Sequence, residues 1–177
     1  MRRGFDGTSI DGVAEAAGMS KRTLYARYRD KDALFSAVLR QLIERWLTPI
    51  QNFRTSNGKL EPMLREIARH LLESALKPMP VAIYRIIIAE AERRPEFGRL
   101  AQAGGRQPAV RAVADALARF RAELRVSDLE LAAEQFISVV VDSPLRLAAL
   151  GLGDRRGIEA QVGAAVDLFL NGVRKRG

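Results

Sequence analysis

The sequence predicts an all-α protein made of a small N-terminal helix-turn-helix unit, residues 1–45, and a larger helical unit, residues 46–177. Apolar residues recur at three- and four-residue spacing along most of the chain, and no alternating strand pattern interrupts them. Residues 8–31 read as two short helices broken at Gly18-Met19, with nearly all of the local positive charge in the second. Polar punctuation at 52–59 and the Lys-Pro-Met-Pro stretch at 77–80 separate longer periodic runs.

The first helix is expected to open at Thr8, because Thr8 followed three residues later by Asp11 forms a capping-box-like start. Ile10, Val13, Ala14 and Ala17 then share one face, and Gly18 gives the backbone freedom to stop and turn. Ser20 is the next cap, after which Leu24 and Tyr28 hold the second helix down while Lys21, Arg22, Thr23, Tyr25 and Arg27 present donors of several lengths. Asp30 caps a third helix, yet Lys31 places a cation in its first turn, where the macrodipole disfavours one. A phosphate at that N-terminus would remove the conflict; a solvated lysine on an ordinary helix is the alternative.

Residues 32–50 carry an apolar stripe of Leu34, Phe35, Val38, Leu42, Trp46 and Ile50, ended near Pro49. A second periodic helix covers 60–76. A third, 81–94, is apolar on more than one face and is expected at the centre of the larger unit. Glu90 and Glu92 lie in it and need partners, with Arg85 or Arg93 the expected ones and a pocket contact with a cationic or hydrogen-bonding ligand the alternative. Pro95, Gly104, Gly105 and Pro108 predict a broken connection before a helix over 109–124. Two amphipathic helices remain, 128–150 with a kink at Pro144, and 157–175.

Composition bounds the function. The net charge of +8 suits a polyanion partner, although residues 1–48, with nine basic and six acidic side chains, contribute only +3 of it. The cluster Lys21, Arg22, Arg27, Arg29 and Lys31 against Asp30 is the better pointer to nucleic acid. There is no cysteine, one histidine (His70) and no nucleophile–base or paired-carboxylate spacing, so neither an enzyme, a metal site nor a cofactor is expected. No apolar run reaches membrane-spanning length, which predicts a cytoplasmic protein with no membrane partner.

The run GFDGTSIDGVAEAAGMSKRTLYARYRDKDALFSAVL, residues 4–39, resembles the DNA-binding segment of the TetR family of transcriptional repressors in the order and spacing of its Thr-Ser entry, Ala-Gly-Met-Ser turn, Thr-Leu-Tyr core and Lys-Asp-Ala-Leu start. YRIIIAEAERRPEFGRL and LELAAEQFISVVVDSPLRLAALG are more loosely similar to the family's ligand-binding halves. The resemblance implies a homodimer that binds a palindromic double-stranded DNA operator and releases it when a small-molecule effector enters the larger domain. Arg22 is then expected at base edges, with Thr8, Ser20, Lys21, Thr23, Tyr25, Arg27 and Lys31 completing the DNA contact. The family usually carries a further helix before the Gly-Phe turn, where this chain has only Met1, Arg2 and Arg3. A helical dimer that binds a ligand or protein but not DNA is therefore the competing expectation.

The last two helices are the expected dimer interface, through Val140, Leu147, Val162, Val166, Phe169 and Val173; the alternative is that both stripes face their own core. An effector cavity is expected among Ile67, Leu71, Tyr84, Ile87, Ile88, Phe97, Phe120 and Phe136, where aromatic and branched residues recur on converging helices.

Overall fold

The computed structural model describes residues 5–51, 58–153 and 157–174, and among them finds an all-α architecture with one isolated backbone bridge between Leu124 and Arg174. Helix α1 (Ile10–Ala16) is capped by Ser9, whose Oγ accepts the Gly12 N–H at 3.0 Å. The cap is thus one residue later than the expected Thr8, because Ser9 is the last residue in extended conformation before the helix. The other end closes at Gly18, at φ 63°: its N–H bonds the Glu15 carbonyl while the Met19 N–H reaches back to Ala14, a double closure that satisfies two terminal carbonyls. Ser20 caps α2 (Lys21–Arg27), accepting the Thr23 N–H at 3.1 Å, and the extended backbone at Tyr28 ends it.

Helix α3 (Lys31–Gln51) starts at Asp30, whose carboxylate accepts the Ala33 N–H at 2.7 Å, and continues past Pro49. It is followed by α4 (Leu60–Ala75), α5 (Pro78–Ala89), α6 (Pro95–Ala101), α7 (Gln107–Ala118), α8 (Leu129–Ile137), α9 (Ser143–Ala149) and α10 (Ile158–Val173). The connection expected to break at Gly104, Gly105 and Pro108 does not: a π-helical turn, Gln102–Arg106, joins α6 to α7, with the Gln107 N–H bonding the Gln102 carbonyl. Widening the turn by one residue lets the helix absorb the glycine pair and the proline without unravelling. A second π-turn, Ser138–Asp142, joins α8 to α9 just before Pro144, so that the expected kink is a wide turn.

The larger core lies between α4, α7, α8 and α10, built on Leu64, Ile67, Leu117, Phe136, Val162 and Val166, all essentially inaccessible to solvent. Arg65 and Arg69 on α4 tie its flank to Asp167 and Glu159 on α10, at 2.7 and 2.8 Å. A second cluster of Phe5, Phe35, Leu39, Ile43, Ile83 and Phe97 joins the N-terminal unit to α5 and α6, and a third, Ile10, Ala14 and Leu24, holds α1 on α2.

Two expectations about burial are corrected. Helix α5 is not central: Pro80, Val81 and Ile83 are buried, but Met79 is 53% and Ile88 59% exposed, since α4, α6 and α9 cover this largely apolar helix only in part. Val140, Val162, Val166, Phe169 and Val173, expected at a dimer interface, are buried against α4 and α8 within one chain, with the Phe136 and Phe169 rings 4.9 Å apart, and Leu147 is half-buried on α9. The stripes face their own core.

Candidate functional site

Burial of Leu24 turns the remaining side chains of α2 outward. Lys21, Arg22, Thr23, Tyr25 and Arg27 are all exposed, Tyr25 by 52%. Their electrostatic roles differ. Lys21 bonds Asp11 on α1 at 2.6 Å, and this partner holds the Asp11 carboxyl below the ordinary carboxylate range and the Lys21 ammonium above its usual value. Ser20 and Thr23 share a hydroxyl hydrogen bond of 2.7 Å. Arg22 and Arg27 make no ion pair among the described residues and project from opposite ends of the helix.

Lys31 is turned inward. Its Nζ donates to the Phe5 carbonyl at 2.7 Å and stands 4.4 Å from the centre of the Phe5 ring. This resolves the misplaced cation at the start of α3 without a phosphate, because the carbonyl and the ring face supply the negative potential. Phe5 packs edge-on against Phe35 and Phe97, at 5.5 and 5.4 Å. Around that aromatic junction Arg94 pairs with Asp32 at 3.1 Å, with Asp6 at 3.5 Å and with the buried Glu90, and Arg93 pairs with Asp6 at 2.6 Å. Desolvation works against the Arg94 charge, but Asp32 and Glu90 outweigh it, so its pKa is raised. Glu90 therefore finds its partner one helical turn onward in Arg94, not in Arg85 or Arg93; Arg85 instead caps α9 by donating to the Ala148 and Ala149 carbonyls.

A cavity of about 230 Å³ opens between α3, α4, α5 and the two π-turns. Leu39, Leu42 and Ile43 of α3 form one wall, Leu71 and Ala75 of α4 and Ile83, Tyr84 and Ile87 of α5 the others. Its polar groups are His70, Ser74, Tyr84, Arg106 and Asp142. Arg106, on the first π-turn, spans to the second: Nε donates to Glu134 at 3.0 Å, Nη2 to Ser138 at 2.6 Å and Nη1 to Asp142 at 2.8 Å. Desolvation opposes its charge, and the two carboxylates overcome it and raise its pKa. On the same π-turn, Gly104 and Gly105 lie against Ile43 of α3, where a Cβ at Gly104 would make ordinary contact at 3.4 Å. Among the described residues, no cluster could hold a metal ion and no helix is long and apolar enough to cross a membrane.

Residues 1–38 match the family of bacterial regulatory proteins named for TetR, and residues 62–172 match the C-terminal domain of AefR-like transcriptional repressors. The chain belongs to the TetR family. Within this family, 70 residues are 41% identical to the HTH-type transcriptional regulator RutR of Escherichia coli (strain K12), covering 40% of this chain and 32% of RutR. The chain thus matches about a third of the length of that curated relative. The Flavonoid-responsive Regulator FrrA is similar over 99% of this chain and 91% of its own, at 34% identity and a TM-score of 0.76. A TetR-family structure from Mesorhizobium loti MAFF303099 superposes with a TM-score of 0.78 at 26% identity, over 98% of this chain and 90% of that one.

This TetR-family transcriptional regulator brings only part of the expected effector set together. Leu71, Tyr84 and Ile87 line the cavity. Ile67, Phe120 and Phe136 are packed into the larger core, Phe97 into the aromatic junction, and Ile88 points to solvent. The cavity lies on the connector side of α4, not in the core beyond it, which is why the largest aromatic residues miss it. Its polar residues were not expected there; Arg106 sits in a segment whose glycines and proline read as a loop, and the only sequence signal was a lone arginine beside Gly104-Gly105.

Proposed function

We propose that this regulator is a repressor that binds a palindromic operator as a homodimer, residues 1–45 reading DNA and residues 46–177 binding the effector and the partner. A small, mostly apolar molecule in the α3–α4–α5 cavity releases it. The observation that carries this reading is that α3 is shared: Lys31 and Phe35 at one end hold the DNA-reading unit, while Leu39, Leu42 and Ile43 on the same helix wall the cavity. A ligand that favours one placement of that helix shifts the reading heads. The similarity to FrrA, a flavonoid-responsive regulator, supports a small-molecule effector for a chain of this fold.

On the reading head, Arg22 is assigned to base edges and Thr8, Ser20, Lys21, Thr23, Tyr25 and Arg27 to the phosphates and their positioning. For assembly, the outward apolar residues of α8, the second π-turn and α10 are the better candidates: Leu131 is 54%, Val139 40% and Leu168 64% exposed, and Val139 and Leu168 share one shallow groove.

Fluorescence anisotropy on a duplex enriched by in vitro selection tests the reading. Arg22→Ala is expected to cost about 1–3 kcal/mol on the selected site and to relax one position, with little change on random DNA. Equal loss on both would remove Arg22 from the base contacts, and no enrichment of any duplex at low salt would favour a ligand-binding dimer that does not grip DNA.

A further inference from the structure

The polar end of the cavity contains an arginine, which in an apolar pocket suggests an anionic ligand. The hydrogen bonds say otherwise. A guanidinium has five N–H donors in a fixed fork. The Arg106 Nε–H is on Glu134, Nη1 is on Asp142, and Nη2 serves Ser138 at 2.6 Å with longer contacts to Asp142 and the Glu134 carbonyl. The bidentate edge that would grip a carboxylate or phosphate is already occupied by protein oxygens. The cluster of one cation and two carboxylates also carries a net charge of −1, and of the two carboxylates it is Asp142, the more exposed, that lines the cavity.

The remaining polar side chains on the wall are His70, Ser74 and Tyr84; every other lining residue presents carbon or backbone. The volume of about 230 Å³ is larger than the roughly 150 Å³ of an engineered apolar cavity that accepts benzene, so two fused rings fit where one would be loose.

We infer that this cavity takes an uncharged, bicyclic-sized apolar molecule bearing a hydroxyl that donates towards Asp142, and rejects carboxylates and phosphates of the same shape. Arg106 is then a strut that locks the two π-turns together and not an anion clamp. The inference rests on the proposal that the cavity is the effector site, but it concerns which chemistry enters and not what entry does to DNA.

The probes are 2-naphthol and 2-naphthoate, which share a ring system and differ in charge at neutral pH, titrated calorimetrically into the full chain. The naphthol is expected to bind at least tenfold more tightly. Asp142→Asn, which brings the cluster to zero charge, is expected to narrow that ratio at least fivefold, with far-UV circular dichroism confirming the fold. Naphthoate binding as tightly as naphthol to the unaltered chain overturns the inference whatever the variant does, and so does a ratio unchanged in a folded variant or no binding of either probe. If naphthol binds selectively and the operator complex persists, the ligand class stands and the release mechanism fails.

Discussion

Lys31 and Phe5 clasp each other across the start of α3, with the ammonium 2.7 Å from the carbonyl and 4.4 Å from the ring centre. The contact closes the turn that enters the helix-turn-helix onto the helix that leaves it. Lys31→Met keeps the aliphatic stem but loses the charged donor, at a cost of about 1 kcal/mol for a half-buried site. For a chain of this length the melting temperature should fall by about 3 °C. The salt dependence of DNA binding should not change. An unchanged melting temperature with a salt slope reduced by about one unit would instead assign Lys31 to a phosphate.

Helices α8 to α10 allow a paired test of assembly. Leu168→Glu, on a residue 64% exposed, is expected to give a folded monomer by light scattering. Val166→Glu, two residues earlier and fully buried, is expected to unfold the larger core, because a charge there has no partner. A dimer that survives Leu168→Glu would move the interface elsewhere.

The cavity can be filled without touching its polar end. Leu71→Trp adds volume to the α4 wall and should abolish 2-naphthol binding while leaving operator affinity within twofold. Ile88→Trp, one turn beyond Tyr84 but on the solvent side of α5, should leave binding unaltered. Calorimetry separates the two; identical behaviour of both variants would mean the cavity is not where the ligand goes.

Glu159 and Arg69 link α10 to α4, and the Arg69 hydrogen bonds hold the Glu159 carboxyl below the ordinary glutamate value. A carboxyl depressed in the folded state contributes stability above its unfolded pKa and loses it as pH falls through the folded one. The contribution should therefore disappear on acidification below the ordinary glutamate range, and Glu159→Gln should flatten that part of the stability curve. Both side chains are solvent-accessible, so the change is small and should shrink further in high salt. Urea melts across the acid range measure it, and a variant curve parallel to the original would count against the pair.

Much of the architecture was legible because several helices carry their own punctuation. Gly18, Ser20, Asp30 and Asp128 mark ends that depend on neighbours in sequence, and the structure uses them all. The errors fall where distant contacts decide. Thr8 and Ser9 are chemically equivalent caps, and only the backbone angles choose between them. Ile88 looks like core because its type is apolar, yet its exposure depends on which helices arrive beside α5. Each π-turn inserts one residue into a helix and rotates everything after it by roughly 100°, so a wheel drawn across 128–150 puts Leu147 in line with Val140 when the backbone does not. The cavity was the least legible feature, since a void is set by what three helices fail to fill.

Mechanically, α3 is a rod whose DNA-side grip and cavity wall lie on one unbroken stretch of helix. From Lys31 to Ile43 it rises about 18 Å. Pivoting it by about 5° at the cavity end sweeps the far end through about 1.5 Å, whereas turning it by the same angle about its own axis moves a side chain at its roughly 5 Å radius by only about half an ångström. A ligand working through this rod gains three times as much travel by wedging as by twisting. Bulk placed against Leu39 and Leu42 is therefore worth more for transmission than the same bulk placed elsewhere on the cavity wall.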